Sequence, residues 1–378
     1  MTGPVHRWAK LHQPDLFDGG PDSEIATDHG ELLDETPGGN LSPVAATEVY
    51  PCYWRFAAER HKVYMARVRG QKPPWTEDPI IREFKFTNSF RSSDRVSQYL
   101  IRHVIYGSGY SFDGPEVLFR VLLFKLFNKI ETWEALTAEF GPLTRKDYCV
   151  ERYDAVLRDR MARRERIYSA AYIMPPGGSS FGNTSKHKNH LQLLDLMTKG
   201  RLALNISRAK SMQQAYELLV EFPTIGSFLA YQFVTDINYS ELSDFSEMDF
   251  VVPGPGARDG LRKCFSNFGG LSEPELIRVM CDMQDVECSR FGLAAPTLWG
   301  RRLQLVDCQN VFCEVSKYSR VSHPAVQGTS GRTRIKQKFA PVGNLASPWY
   351  PPKWGLNERI EMETISSGRS AGVTTRDQ

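Results

Sequence analysis

Between Phe222 and Gly256 the residue order leaves few ways to fold. Met212–Val220 carries apolar residues at helical spacing, and Pro223 stops that helix. Four residues later a second apolar stretch begins, Ser227-Phe228-Leu229-Ala230-Tyr231-Gln232-Phe233, so two helices meet across a very short turn that contains Gly226. After a polar turn comes Glu247-Met248-Asp249-Phe250-Val251-Val252-Pro253-Gly254-Pro255-Gly256. A tight turn at a helix N-terminus leaves unpaired N–H groups pointing outward, where an anion such as a DNA phosphate can accept them. Thr224, Gly226 and Ser227 are the residues expected to do so. A Pro-x-x-Gly turn also occurs as a plain bundle connection, and the turn alone does not separate the two uses.

The hairpin resembles the helix-hairpin-helix element of DNA glycosylases, which reads Leu-Pro-Gly-Val-Gly and precedes a catalytic aspartate by a little over twenty residues. Pro223-Thr224-Ile225-Gly226 keeps the proline and the second glycine, and Asp249 falls at about the distance of that aspartate. Thr224 replaces the first glycine. Phe228 stands where bifunctional glycosylases carry a Schiff-base lysine, so lyase chemistry is not expected.

Charge is uneven along the 378 residues. Residues 1–50 carry two basic and nine acidic side chains, so the net +3 of the whole leaves the remainder at +10. A basic body with an acidic tail is compatible with nucleic-acid binding without requiring it. The most apolar run, Val117 to Ile130, is interrupted by Arg120, Lys125 and Asn128 and reads as a buried helix, not a membrane span. Residues 1–20 lack the apolar core of a signal peptide, and seven cysteines without framework spacing fit reduced thiols, so a cytoplasmic location in a bacterial or phage-infected cell is expected.

Residues 1–49 read as a disordered acidic tail, 50–320 as a helical domain with the hairpin at 212–239, and 321–378 as a basic, Pro/Gly/Ser-rich tail that is disordered, drapes over the domain or touches DNA. Within the first tail, Gln13, Leu16 and Phe17 resemble the Gln-x-x-Leu-Phe peptide that docks bacterial repair proteins on the sliding clamp. Helices are expected near 53–69, 95–106, 115–129, 131–139, 151–172, 257–265, 273–289 and 301–318, and a short extended piece over 80–86. Arg91, Asp94, Arg95 and Gln98 share a polar stripe that either meets solvent or lines a cleft. The loop from Pro175 to Lys188 delivers Lys186 and His187 to a helix start, a phosphate-compatible arrangement, but no Gly-Lys-Ser/Thr makes it a Walker A loop. Asp307, Asn310 and Glu314 form a narrow polar line through an apolar helix, either an internal network or a cleft wall. Cys281 and Cys288 have the gap that opens an iron-sulfur loop, but Cys308 and Cys313 lack the Cys-x-x-Cys that would complete it, so neither a cluster nor another metal site is expected.

Taken together, Tyr53-Trp54-Arg55-Phe56, Phe86-Thr87-Asn88 with Arg91-x-x-Asp94-Arg95, Lys186-His187, the hairpin, Asp249 with Pro253-Gly254-Pro255-Gly256, and Asp307-x-x-Asn310-x-Phe312-Cys313-Glu314 resemble the glycosylase-related helical proteins of thymine hypermodification. These are the alpha-glutamyl/putrescinyl-thymine pyrophosphorylases, one branch being the helical domain of 5-hydroxymethyl-deoxyuridine DNA kinase. The resemblance implies an all-α, glycosylase-like fold and chemistry on a thymine derivative flipped out of DNA. It implies a catalytic Asp249, phosphate contacts from Arg91, Arg95, Lys186 and His187, and a pocket drawn from Asn88, Asp94, Gln232, Asp307, Asn310 and Glu314. ATP follows from the resemblance alone, and without a phosphate loop the kinase step could belong to a P-loop partner. An amino acid:DNA transferase, a monofunctional glycosylase and a non-catalytic reader of modified DNA stay open as alternatives.

Overall fold

The computed structural model describes residues 43–370 apart from 173, 342 and 344, and these residues form an all-helical fold with two small antiparallel ladders. In chain order the α-helices of five or more residues are α1 (Tyr50–Val68), α2 (Pro79–Glu83), α3 (Arg95–Tyr99), α4 (Gly114–Phe127), α5 (Ile130–Phe140), α6 (Val150–Ala162), α7 (Lys186–Lys199) and α8 (Leu202–Arg208). The hairpin follows as α9 (Met212–Val220) and α10 (Ser227–Ile237), then α11 (Pro255–Cys264), α12 (Glu273–Asp282), α13 (Gln284–Arg290), α14 (Leu305–Ser322) and α15 (Asn357–Ser370). Strand β1 (Ala45–Ala46) pairs with β2 (Phe265–Asn267), and β3 (Thr297–Leu298) with β4 (Arg301–Arg302). Among the described residues no helix is long and apolar enough to cross a membrane.

The polar interruptions of α4 each have a structural cause. α3 continues into a π turn over Leu100–Ile105, whose wider winding leaves carbonyls to be bonded from outside. Arg120, 1 % exposed, supplies that bond from its Nε to the Val104 carbonyl at 2.9 Å and reaches the Ser111 carbonyl at 2.8 Å. Asn128 ends α4 in the left-handed region, where asparagine is among the residues that tolerate it. Lys125 belongs to an ionic cluster described below.

Helices α11 and α14 touch along a glycine face. A Cβ on Gly260 would lie 2.0 Å from the Phe312 carbonyl oxygen, and one on Gly256 would lie 2.3 Å from Cys313 Sγ. Only glycine at both positions, one helical turn apart, lets the backbones approach this closely. This packing fixes α14, and α14 in turn fixes the loop that carries Asn88 and Arg91.

Several expectations are corrected. Of the extended piece expected over 80–86, residues 80–83 are instead helical, because Asp78 caps α2 by accepting from the N–H groups of Ile80 and Ile81; extended backbone begins at Phe84, which bridges to Lys338. The helix expected over 151–172 ends at Ala162, with Arg164 in a left-handed conformation, and 273–289 divides into α12 and α13. The packed region begins before residue 50: the Thr47 hydroxyl donates to the Lys263 carbonyl. At the other end, residues 345–360 drape over the domain, one of the expected uses of that tail, and are anchored in its core. Tyr350 is fully buried and bonds the Tyr64 hydroxyl at 2.9 Å and Ser93 Oγ at 2.8 Å, while Leu356 and Ile360 are also buried. Gln13, Leu16 and Phe17 lie outside the described residues.

Candidate functional site

The hairpin turn adopts the shape its proline allows. Ile225 N–H bonds the Phe222 carbonyl at 3.1 Å, and Thr224 takes φ +69°, the left-handed position that a glycine fills most easily. Gly226 is extended and leads into α10 with no side chain capping the helix. The turn therefore presents exposed Gly226 and Ser227 at an uncapped N-terminus. The Thr224 hydroxyl oxygen is buried and has no hydrogen-bond partner among the described residues.

On α10, Phe228, Gln232 and Asp236 recur every four residues and share one face. Phe228 stacks with Tyr172, ring centroids 6.1 Å apart and planes 25° apart, and both rings are half-buried. Tyr172 is itself in the left-handed region at φ 54°. Beneath its ring lies the Lys125 ammonium, 4.0 Å from the centroid. One turn below Phe228, Gln232 Oε1 accepts from Arg91 Nε at 3.2 Å. One turn further, Asp236 receives Arg91 Nη1 at 2.7 Å on one oxygen and Lys125 Nζ at 2.6 Å on the other. Arg91 also donates to the Tyr239 hydroxyl at 2.9 Å.

Two cations face one carboxylate here, and all three side chains are at most 4 % exposed. Burial alone would raise the Asp236 pKa, but Arg91 and Lys125 hold it below the ordinary carboxylate value. Burial lowers Lys125 to about 8, against the opposing pull of Asp236. Arg91 is pushed above its ordinary value because the attraction of Asp236 outweighs burial. The cluster keeps an excess positive charge directly under an aromatic pair.

The loop above it is held by α14. Asp307 accepts from the Arg91 backbone N–H at 2.8 Å, Asn310 donates to the Asn88 carbonyl at 3.0 Å, and Glu314 accepts from the Thr87 N–H at 3.0 Å. The polar line of α14 is thus an internal network, one of its two expected uses. Asp94 does not cap α3 with its side chain but accepts from the Asn88 N–H at 2.7 Å. Burial raises both Asp94 and Asp307 to about 7, partly countered by those N–H bonds. The Asn88 side-chain oxygen is buried and has no hydrogen-bond partner among the described residues.

Of the expected phosphate contacts, Arg91 and His187 are both 3 % exposed. Arg91 is engaged by Asp236, and His187 Nε2 lies 2.8 Å from Asp154 on α6, so neither reaches a DNA backbone without breaking a buried pair. Lys186 lies over the Tyr168 ring at 4.7 Å. Arg95 is exposed. Asp249 is also exposed; its carbonyl accepts from Arg278 at 2.9 Å, and among the described residues its carboxylate makes no hydrogen bond or ion pair. It lies five residues before Gly254, whose Cβ, if present, would meet Phe228 at 2.3 Å. Among the described residues no three His, Cys, Asp or Glu side chains converge as metal ligands.

Lys125, Asp236 and Tyr172 escaped the sequence reading. The first two carried a signal, a lysine and an aspartate of opposite sign inside otherwise apolar helices, which need each other once both are buried. Tyr172 carried none, since its left-handed backbone is set by the surrounding packing.

Residues 47–328 match the family described as "5-hmdU DNA kinase, helical domain". The 5-hmdU DNA kinase of Bacillus phage SP10 is 26 % identical over 305 residues, which are 75 % of this chain and 47 % of that protein. The chain therefore spans about half the length of this curated relative. No solved structure matches. With its all-helical architecture and the matched region covering both the hairpin and the ionic cluster, the chain belongs to the family of 5-hmdU DNA kinase helical domains.

Proposed function

We propose that this chain acts on a 5-hydroxymethyluracil-type base in DNA, as the helical part of a hypermodification system whose phosphoryl-transfer machinery resides in a P-loop partner. The observation that carries the reading is the half-buried Tyr172–Phe228 pair over the Arg91–Asp236–Lys125 cluster, in a chain of this family. The hairpin turn binds a phosphate through the N–H groups at Gly226 and Ser227, and the base leaves the stack to lie against the aromatic pair. Arg91 and Lys125 do not touch the DNA backbone; their uncompensated charge favours an anion at the reacting 5-substituent. Asp236, with both oxygens engaged and a depressed pKa, is a poor proton acceptor. Asp249, with its carboxylate free, takes the proton of the 5-hydroxymethyl oxygen as that oxygen becomes the nucleophile. Asn88, with its unpartnered amide oxygen, is a hydrogen-bond acceptor for the base.

The test combines the protein, DNA containing 5-hydroxymethyluracil, and ATP, with and without a phage P-loop kinase, and analyses the nucleosides by mass spectrometry. A phosphate ester on the 5-hydroxymethyl group supports the proposal. Release of free base would make the chain a monofunctional glycosylase, and an added amino acid would make it a transferase. Salt-sensitive binding with unchanged nucleosides under every condition would leave a reader of modified DNA.

A further inference from the structure

A second cavity lies outside the hairpin. It has a volume of about 320 Å³, within the roughly 300–1,000 Å³ of small-molecule sites. Trp75, Phe84, Phe86 and Phe339 line it, together with Arg60 of α1 and the exposed Arg82. Aromatic walls of this kind offer ring faces for stacking.

Arg60 is the unusual member. It is 7 % exposed, and its Nη1 is buried with no hydrogen-bond partner among the described residues. Asp94 and Glu314 are its nearest compensating charges, yet each is bonded elsewhere, to the N–H groups of Asn88 and Thr87. A guanidinium with unused donors in a cavity wall is costly to the fold unless something oxygen-bearing satisfies it.

The rim is basic. Residues 337–339 run antiparallel to 83–85, with Lys85 N–H on the Gln337 carbonyl at 3.0 Å and Phe339 N–H on the Glu83 carbonyl at 2.9 Å. The exposed Arg332, Arg334 and Lys336 precede this ribbon in the same segment that supplies Phe339. The Arg67 guanidinium lies over both Trp75 and Phe339, at 5.1 and 5.7 Å from the ring centroids. Aromatic faces beside a cationic track are the combination that holds single-stranded nucleic acid.

We propose that this cavity receives one unstacked nucleobase of single-stranded DNA, with Arg60 donating to a ring carbonyl and Arg334 and Lys336 contacting the flanking phosphates. The site is separate from the hairpin face and holds whether or not that face transfers a group. Fluorescence anisotropy of the full chain with a labelled oligodeoxythymidylate dodecamer, and with an abasic dodecamer of the same backbone, tests it. The thymidylate binds roughly tenfold tighter than the abasic strand. In W75A/F339A that preference disappears, whereas in R334E/K336E both strands weaken together and the preference survives. Should the double aromatic variant fail to fold by circular dichroism, Arg60→Met decides: it loses preference while its Tm stays level or rises, because an unsatisfied buried charge has been removed. Equal affinity of the wild-type chain for the two strands, or an undiminished preference in the cavity variants, overturns the proposal. A nucleoside assay without product would leave this result untouched.

Discussion

Replacing Asp236 with asparagine tests the ionic cluster directly. In the native chain one carboxylate oxygen is 2.7 Å from Arg91 and the other 2.6 Å from Lys125, in a site no more than 4 % exposed. Asparagine keeps the shape but removes the charge, and its amide nitrogen must face one of two buried cations. Removing one partner of a buried pair costs about 3–5 kcal/mol, against a total stability of roughly 5–15 kcal/mol for a domain. The loss is measurable as a lower urea midpoint at pH 7 with an unchanged m-value. The deficit also depends on pH in a defined direction. Lys125 has a folded pKa of about 8, below its unfolded value of 10.5, so the unfolded chain binds more protons in that window and stability rises with pH there. Without Asp236 the folded pKa drops further, so Lys125 sheds its proton earlier and the deficit of D236N narrows between pH 7 and 9. A variant within about 1 kcal/mol of the wild type at pH 7, below the range for a broken buried pair, or a deficit that does not change with pH, would refute the reasoning.

Asp249→Asn, at an exposed position, should leave stability within about 0.5 kcal/mol and lower nucleoside modification by about a hundredfold or more; unchanged turnover removes the catalytic role. Thr224→Gly relieves a left-handed threonine at φ +69° and should stabilise by about 1 kcal/mol in urea unfolding. Asp307, raised to about 7 by burial, binds its proton more tightly folded than unfolded, so it contributes stability at low pH that is lost as pH rises through 7. In D307N that falling slope between pH 4 and 7 is reduced. A peptide of residues 8–22 tests the clamp resemblance of Gln13, Leu16 and Phe17, with saturable binding to a bacterial sliding clamp the expected outcome.

Helix identity was legible wherever apolar residues recurred at helical spacing, as in α4, α5, α9 and α10. Boundaries failed where a single residue decided them, such as Arg164 closing α6 or Asp78 turning an alternating pattern into α2. The polar line of α14 could be read, but its partners could not, because Asp307, Asn310 and Glu314 bond backbone groups more than two hundred residues away. For the same reason Arg91 was expected to contact phosphate: nothing local to residues 91–98 reveals that α10 brings Asp236 to it. Residues 345–360 looked like tail because their turn-forming composition hides three isolated apolar anchors, Tyr350, Leu356 and Ile360.

Those anchors have a consequence for biosynthesis. The Tyr350 hydroxyl meets Ser93, two positions beyond Arg91, and the Lys353 ammonium meets the Ser240 carbonyl, one position beyond Tyr239. A nascent polypeptide emerging from the ribosome therefore lacks this latch until residue 353 has been translated and has cleared the exit tunnel. Recombinant fragments trimmed at residue 328, where the family match stops, would carry every helix of the hairpin half yet miss the clasp joining its two sides.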